Sequence, residues 1–378
     1  MSKKVILVDQ IAKISYKYTF SLAECLIKQG VDVHLVLDLK KNDEVNCKTD
    51  SIFLTDEKNV SKVKKVFNLF SSYRRIRQII KEENIDILHI QWINFSPIEY
   101  HLLKRIAKKT KIVMTVHDIL PFNEKGYDKR YYRKIYHLPS KIIVQADTNY
   151  DRFKELFPED IDKVTIIPHG NSLKYADLHP QVESREKIGV NKDYFTFLFF
   201  GQIKQIKGVD ILLEAFEKFH QNHPESQLVV AGKLWYAEEG VYEKIFNRDG
   251  YPKEFLKWDE RFIGDEEIGY YYSACDVTVL PYKDLYQSGV IQLAYAYKKV
   301  PIVSNLKPFL EVVDENSGYI FENENVDSLV EAMEKAFQNK KNADKLVENG
   351  IKTIKVKYNW EDIAKKIIDE CYDEKIPE

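Results

Sequence analysis

Two lysines, Lys204 and Lys207, stand in a short loop between an apolar run at 195–200 and an amphipathic stretch that opens at Gly208. The run ends at Gly201, and Val209, Leu212, Leu213 and Phe216 then recur at helical spacing. A strand, a glycine, a basic loop and a helix start suit a diphosphate. Backbone N–H groups at the helix start point at the anion, and the lysines add full positive charge. The same residues also describe an ordinary strand–loop–helix connection with two solvated lysines. A second helix start, Gln287-Ser288-Gly289-Val290, follows an apolar run at 277–280 and the pair Pro281-Tyr282. It offers further N–H donors with Ser288 as an extra one, or else a capped helix and nothing more.

Histidines end two other apolar runs. His117, in Thr115-Val116-His117-Asp118, is placed to donate to a substrate oxygen or exchange a proton with it near neutral pH. A structural His–Asp pair is the alternative. His169, in Ile167-Pro168-His169-Gly170, reads as part of a rigid exit from its strand, and His89 as packing at a strand end.

Positioning these loops requires parallel sheets wound with helices. Strand-like runs fall at 5–8, 33–37, 85–90, 112–116, 142–145 and 164–167, with helical stretches at 19–29, 73–82 and 97–108 between them. After a polar stretch at 172–192, strands recur at 195–200, 227–231, 261–263, 277–280 and 301–304. The expected class is α/β, with two Rossmann-like domains facing across a cleft and ligands held beyond the carboxyl ends of the strands.

Composition narrows the chemistry further. At 378 residues, 44% hydrophobic and 31% charged, the chain has the makings of two globular domains. No apolar run approaches the roughly 18 residues of a membrane span, and MSKKVILVDQ does not read as a secretory signal. The four cysteines match no metal-ligand or redox spacing and read as reduced thiols of a cytoplasmic protein. No dinucleotide fingerprint, Walker A loop or zinc-protease motif occurs. Net charge is −2, yet residues 1–180 hold 31 Lys/Arg against 23 Asp/Glu, and the remainder is correspondingly acidic. That asymmetry hints at an anionic partner for the first half, and no nucleic-acid module is present to make it DNA or RNA. The basic, aromatic stretches 58–81 and 125–141 read either as solvated helix faces or as segments that lie on anionic lipid.

In order along the chain, TVHD at 115–118, IPHG at 167–170, FFGQIKQIKG at 199–208, ACDVTVLPY at 274–282, QSGV at 287–290 and YNWEDIA at 358–364 resemble glycosyltransferase family 4, of the GT-B fold. The QSG segment is similar to that of a subset of the family. The resemblance implies sugar transfer from a nucleotide-diphospho-sugar to a saccharide or lipid-linked saccharide, with retention and without a metal or other cofactor. It implies an acceptor domain at 1–175, a donor domain at 190–361 and a helix at 362–378 crossing back to the first domain. By the same match His117 and Lys207 are the catalytic residues. Gly201, Lys204, Lys207, Gln287, Ser288, Gly289 and Val290 hold the donor. The expected location is cytoplasmic, peripheral at the inner membrane face, with polysaccharide or glycoconjugate synthesis as the setting. One departure stands out. Most relatives carry two glutamates where this chain has Tyr286 and Ala294. A differently wired donor site, or a GT-B protein that binds nucleotide-sugar without transferring it, would each explain that.

Overall fold

The computed structural model describes residues 2–39, 45–54, 60–121, 125–235, 238, 240–285 and 289–373. The chain divides into two compact units, one of residues 1–170 with 358–378 and one of residues 171–357.

In the first unit, seven parallel strands lie in the order β3-β2-β1-β4-β5-β6-β7. These are β1 (Lys4–Asp9), β2 (Asp32–Leu37), β3 (Lys48–Ser51), β4 (Ile87–Ile90), β5 (Lys111–Thr115), β6 (Lys141–Val144) and β7 (Val164–Ile166). The central strands are near-continuous Val/Ile/Leu runs because helices cover both faces of the sheet. On one face lie α2 (Lys62–Glu83), α3 (Ser96–Ile106), α4 (Asp128–Tyr136) and α5 (Asp147–Leu156), burying Leu69, Tyr73, Leu103, Ile135 and Phe153. The other face takes α1 (Ala12–Lys28) and the C-terminal segment, through Leu22, Leu26, Trp360, Ile363 and Ile367. Sequence order thus returns to the first unit at Tyr358.

The second unit holds six parallel strands in the order β10-β9-β8-β11-β12-β13, the same winding as the first. They are β8 (Phe195–Phe200), β9 (Ser226–Ala231), β10 (Leu256–Asp259), β11 (Val277–Leu280), β12 (Val300–Ser304) and β13 (Tyr319–Phe321). The strand order reverses between β1 and β4 in one sheet and between β8 and β11 in the other. Those are the switch points where open α/β sheets hold ligands.

Several elements differ from the sequence reading. The polar stretch 172–192 is not a bare linker. It carries α6 (Gln181–Ile188), whose buried Arg185 pairs with Asp276 at 2.7 Å and donates to the Ala274 carbonyl at 2.9 Å, fastening it into the second unit. The strand expected at 261–263 lies earlier, at β10. Arg261 is instead held outside the strand by Glu267 at 2.6 Å. Polar β3 and short β13 carry too little apolar signal to be read in advance. Both α1 and α2 begin well before the expected 19 and 73. In α2 the Ser61 hydroxyl accepts from the Lys64 N–H at 3.3 Å and starts the helix there.

Candidate active site

The residues of the basic loop lie at the switch point of the second unit. β8 ends at Gly201, whose φ of 140° suits glycine, and the loop is pinned to the next strand end by a bridge between Ile203 and Leu234. A 3-10 turn, Gln205–Lys207, follows, closed by Lys207 N–H donating to the Lys204 carbonyl at 2.8 Å. Gly208 then sits at φ 66°, where an added Cβ would meet the Pro281 carbonyl oxygen at 1.8 Å. Only glycine lets the loop seat so closely against the exit of β11. From Gly208 the chain enters α7 (Val209–Asn222).

The two lysines end on aromatic faces. Lys207 Nζ lies 3.8 Å from the Tyr282 ring centroid and Lys204 Nζ lies 4.1 Å from that of Trp235. Burial, with the Lys204 charge as a second cause, lowers the Lys207 ammonium to about 8. No carboxylate answers Lys207 among the described residues, whereas neighbouring Lys283 is paired with Asp210 at 2.7 Å. A half-buried cation repelled by a second cation, with no carboxylate beside it among the described residues, has the electrostatics that suit an anion.

Gly289 and Val290 open α8 (Gly289–Ala296) after β11, the strand adjacent to β8. An added Cβ on Gly289 would meet nothing within 4 Å, so close packing is not what places a glycine there. Gln287, Ser288 and Tyr286 lie outside the described residues. Ala294 is fully buried and so brings neither charge nor hydrogen bond where most relatives carry a glutamate.

In the first unit, His117 leaves the end of β5. Its ring stacks on Trp92 with centroids 4.4 Å apart and an 11° tilt, and meets Tyr18 edge-on at 4.9 Å. Nε2 lies 3.4 Å from Gln91 Oε1. Gln91 in turn donates to Thr19 Oγ1 at 2.9 Å, and Thr19 to the buried Asp9 carboxylate at the end of β1. Burial, reinforced by nearby His169, drops the His117 imidazole to about 3. At physiological pH it therefore presents one N–H and one lone pair. A concavity of about 250 Å³ opens beside it, walled by Trp92, Ile93, Met114, Pro121, Tyr132 and Tyr136.

The loop carrying Trp92 is itself anchored. Fully buried Glu99 accepts from Tyr73 Oη at 2.8 Å, the Asn94 N–H at 2.7 Å, the Phe95 N–H at 2.6 Å and Gln10 Nε2. Nothing in the sequence around Glu99 marks these partners, and only the fold reveals them. The two other strand-end histidines, His169 and His89, are held by the fold. His169 Nδ1 contacts the Gly170 carbonyl oxygen at 2.6 Å, and its ring packs on Tyr18 at 4.8 Å. His89 is buried between Tyr372 Oη at 2.7 Å and Thr115 Oγ1 at 2.8 Å.

Comparison with known proteins agrees with this architecture. The model described as glycosyl transferases group 1 matches residues 180–353, and that described as glycosyltransferase family 4 matches residues 17–174. The chain belongs to glycosyltransferase family 4. It is a glycosyltransferase of the hexosyltransferase type on the GT-B fold. Among its relatives, the putative glycosyltransferase YtcC of Bacillus subtilis is 23% identical over 77% of this chain and 74% of its own length. The alpha-monoglucosyldiacylglycerol synthase of Acholeplasma laidlawii is 25% identical over 68% of each chain. Among solved structures, a glycosyltransferase from Rickettsia africae superposes with a TM-score of 0.72 at 18% identity, covering 99% of this chain and all of its own. HepE from Anabaena, crystallised with UDP-glucose, gives 0.69 at 15% identity, covering 97% of this family 4 chain and 98% of its own.

Proposed function

We propose that this glycosyltransferase takes a hexosyl unit from a nucleotide-diphospho-sugar and delivers it to a saccharide or lipid-linked saccharide. The transfer retains configuration, needs no metal ion and serves polysaccharide or glycoconjugate synthesis in the cytoplasm, at the inner membrane face. The observation that carries this reading is Lys207, half-buried over Tyr282 with no carboxylate beside it among the described residues. HepE, a fold neighbour, was crystallised with UDP-glucose, and the Acholeplasma relative is named for a glycolipid product.

Breaking the anomeric C–O bond leaves positive charge on the sugar and negative charge on the departing diphosphate. Lys204, Lys207 and N–H groups near Gln287, Ser288, Gly289 and Val290 stabilise that negative charge, and Gly201 lets the backbone approach it. The bonding pair leaves with the diphosphate oxygen, the acceptor hydroxyl oxygen forms the new bond to the anomeric carbon, and its proton passes to the departing diphosphate. Neutral His117 hydrogen-bonds a sugar hydroxyl, its ring fixed by Trp92. The acceptor belongs to the first unit, where the aromatic walls of the concavity suit the C–H face of a sugar ring.

Thermal unfolding with UDP, GDP, ADP and dTDP, each with magnesium and with chelator, tests the donor site. A ligand at about 100 times its dissociation constant adds about 2.7 kcal/mol. One nucleotide that raises the midpoint equally with and without magnesium is the expected result, and no shift with any of them overturns it. The buried Ala294 favours one second reading, a subunit that binds nucleotide-sugar and transfers nothing. A nucleotide shift without sugar transfer to any glycolipid or oligosaccharide acceptor would select that reading.

A further inference from the structure

The exposed side of α2 carries an apolar stripe that the fold does not use. Val63 is 66% exposed, Phe67 70% and Phe70 46%. They recur at i, i+4 and i+7, so they form one line on the helix, about 10 Å long. The same line continues into exposed Arg74 and Arg77. Lys62, Lys64 and Lys65 flank its start, and no Asp or Glu occurs between residues 62 and 81. The buried side of the helix is separate and complete, with Leu69, Tyr73, Ile76 and Ile79 in the core. Its rotation is locked. Asn68 donates to the Ile52 carbonyl at 2.8 Å and accepts from the Leu54 N–H at 2.9 Å, and Ser72 donates to the Ile52 carbonyl at 2.9 Å. The phenylalanines therefore cannot turn inward.

Topology sets where the stripe lies. α2 leaves the carboxyl edge of the sheet after β3, so its first turns sit at the same edge as Trp92 and His117. On the same face of the sheet, α3 and α4 add tyrosines with cations over them. Lys134 Nζ lies 5.4 Å from both the Tyr100 and Tyr131 rings, and Lys125 Nζ lies 5.7 Å from that of Tyr127. The other two tyrosines of that basic stretch, Tyr132 and Tyr136, are core residues and take no part. Apolar side chains ringed by cations, with amphipathic tyrosines nearby, match the boundary of an anionic bilayer rather than water or a neutral protein surface.

We infer that the N-terminal half of α2 is an interfacial wedge. Val63, Phe67 and Phe70 enter the acyl boundary of an anionic phospholipid membrane while Lys62, Lys64, Lys65 and Arg74 contact lipid phosphates. The inference rests on the proposed transfer only in supplying a reason for the wedge: a lipid-linked acceptor is met at the edge where His117 stands.

Co-sedimentation of the full chain with vesicles is the test. Binding is expected to vesicles of phosphatidylglycerol mixed equally with phosphatidylcholine, and not to phosphatidylcholine alone. Phe67→Ser with Phe70→Ser should weaken it at least about tenfold, because two aromatic rings would no longer pass from water into the acyl boundary. Lys64→Glu and Lys65→Glu should each weaken it about fivefold or more, an effect that shrinks as salt rises. Because Lys64, Phe67 and Phe70 are exposed, thermal midpoints of the variants at those three positions should match the parent. No binding by the parent at low salt, or undiminished binding by the double serine variant, overturns the wedge. So does a parent dimer in solution that the serines dissolve, since the stripe would then be covered by a second copy. Nucleotide shifts recorded on the same samples keep the two ideas apart. A protein that binds vesicles but no nucleotide refutes the transfer reading and leaves the wedge standing.

Discussion

Lys207 is placed against its own electrostatic preference, and that has two measurable consequences. Its folded value of about 8 lies below the ordinary lysine value of 10.5, so folding disfavours the charged form. This destabilisation is fully present below about pH 8 and fades as pH rises from there towards 10.5. Lys207→Met should therefore raise the midpoint of the ligand-free protein at pH 7, by a net amount on the order of 1 kcal/mol after subtracting the attraction between the ammonium and the Tyr282 ring. The same variant should lose about ten- to a hundredfold in nucleotide-diphosphate affinity, the usual worth of a hydrogen bond to a charged group. Titration calorimetry alongside thermal unfolding checks the opposed signs, and a variant that loses stability and keeps affinity contradicts the assignment. In the parent, affinity should fall as pH rises through about 8, because only the ammonium attracts the diphosphate. His117 behaves differently. With its imidazole at about 3, no histidine limb near pH 6.5 is expected in the rate profile, and His117→Ala should slow transfer about tenfold through removal of one hydrogen bond. A limb near 6.5 that the alanine removes would assign it a proton-transfer role instead.

At the scale of elements, the loops work because strand ends crowd together. Gly208 touches the Pro281 carbonyl, and a Cβ on Gly232, at the end of β9, would lie 1.8 Å from the Gly201 carbonyl oxygen. Gly208→Ala has no flexible neighbour to displace. It should misplace Lys207 and lower donor affinity more than it lowers stability, as paired calorimetry and unfolding would measure. Much of this was legible in sequence. Apolar runs located the central strands, and the ordered motifs placed Lys204, Lys207 and His117 just beyond strand ends, as the structure has them. What escaped depends on long-range pairing. Nothing near Lys204 or Lys207 in sequence announces that Trp235 and Tyr282 will lie beneath them. The polar strand Lys48–Ser51 is specified by its neighbour β2 rather than by its own residues. The first turns of α2 hid for a different reason. Val63, Phe67 and Phe70 place apolar residues on the solvent side, which blurs the periodicity that marks a helix.

For the whole molecule, the tie between chain ends of the first unit is specific. Trp360 occupies the space a side chain at Gly170 would need, its ring atoms 2.1 to 2.5 Å from an added Cβ, and it meets Tyr18 edge-on at 5.2 Å. Gly170→Ala should cost about 1–3 kcal/mol as overpacking of a full site, read as a lower unfolding midpoint. An unchanged midpoint would mean the segment from Tyr358 contributes little to the fold. That segment also has a consequence for biosynthesis. Residues 358–372 complete one face of a sheet whose strands were all made before Asn171, so the second unit is synthesised in full while the first waits with Tyr18, Leu22 and Leu26 uncovered. The usual order in which domains mature on the ribosome is thereby inverted, and the first unit reaches its native state only after residues 358–372 have been made.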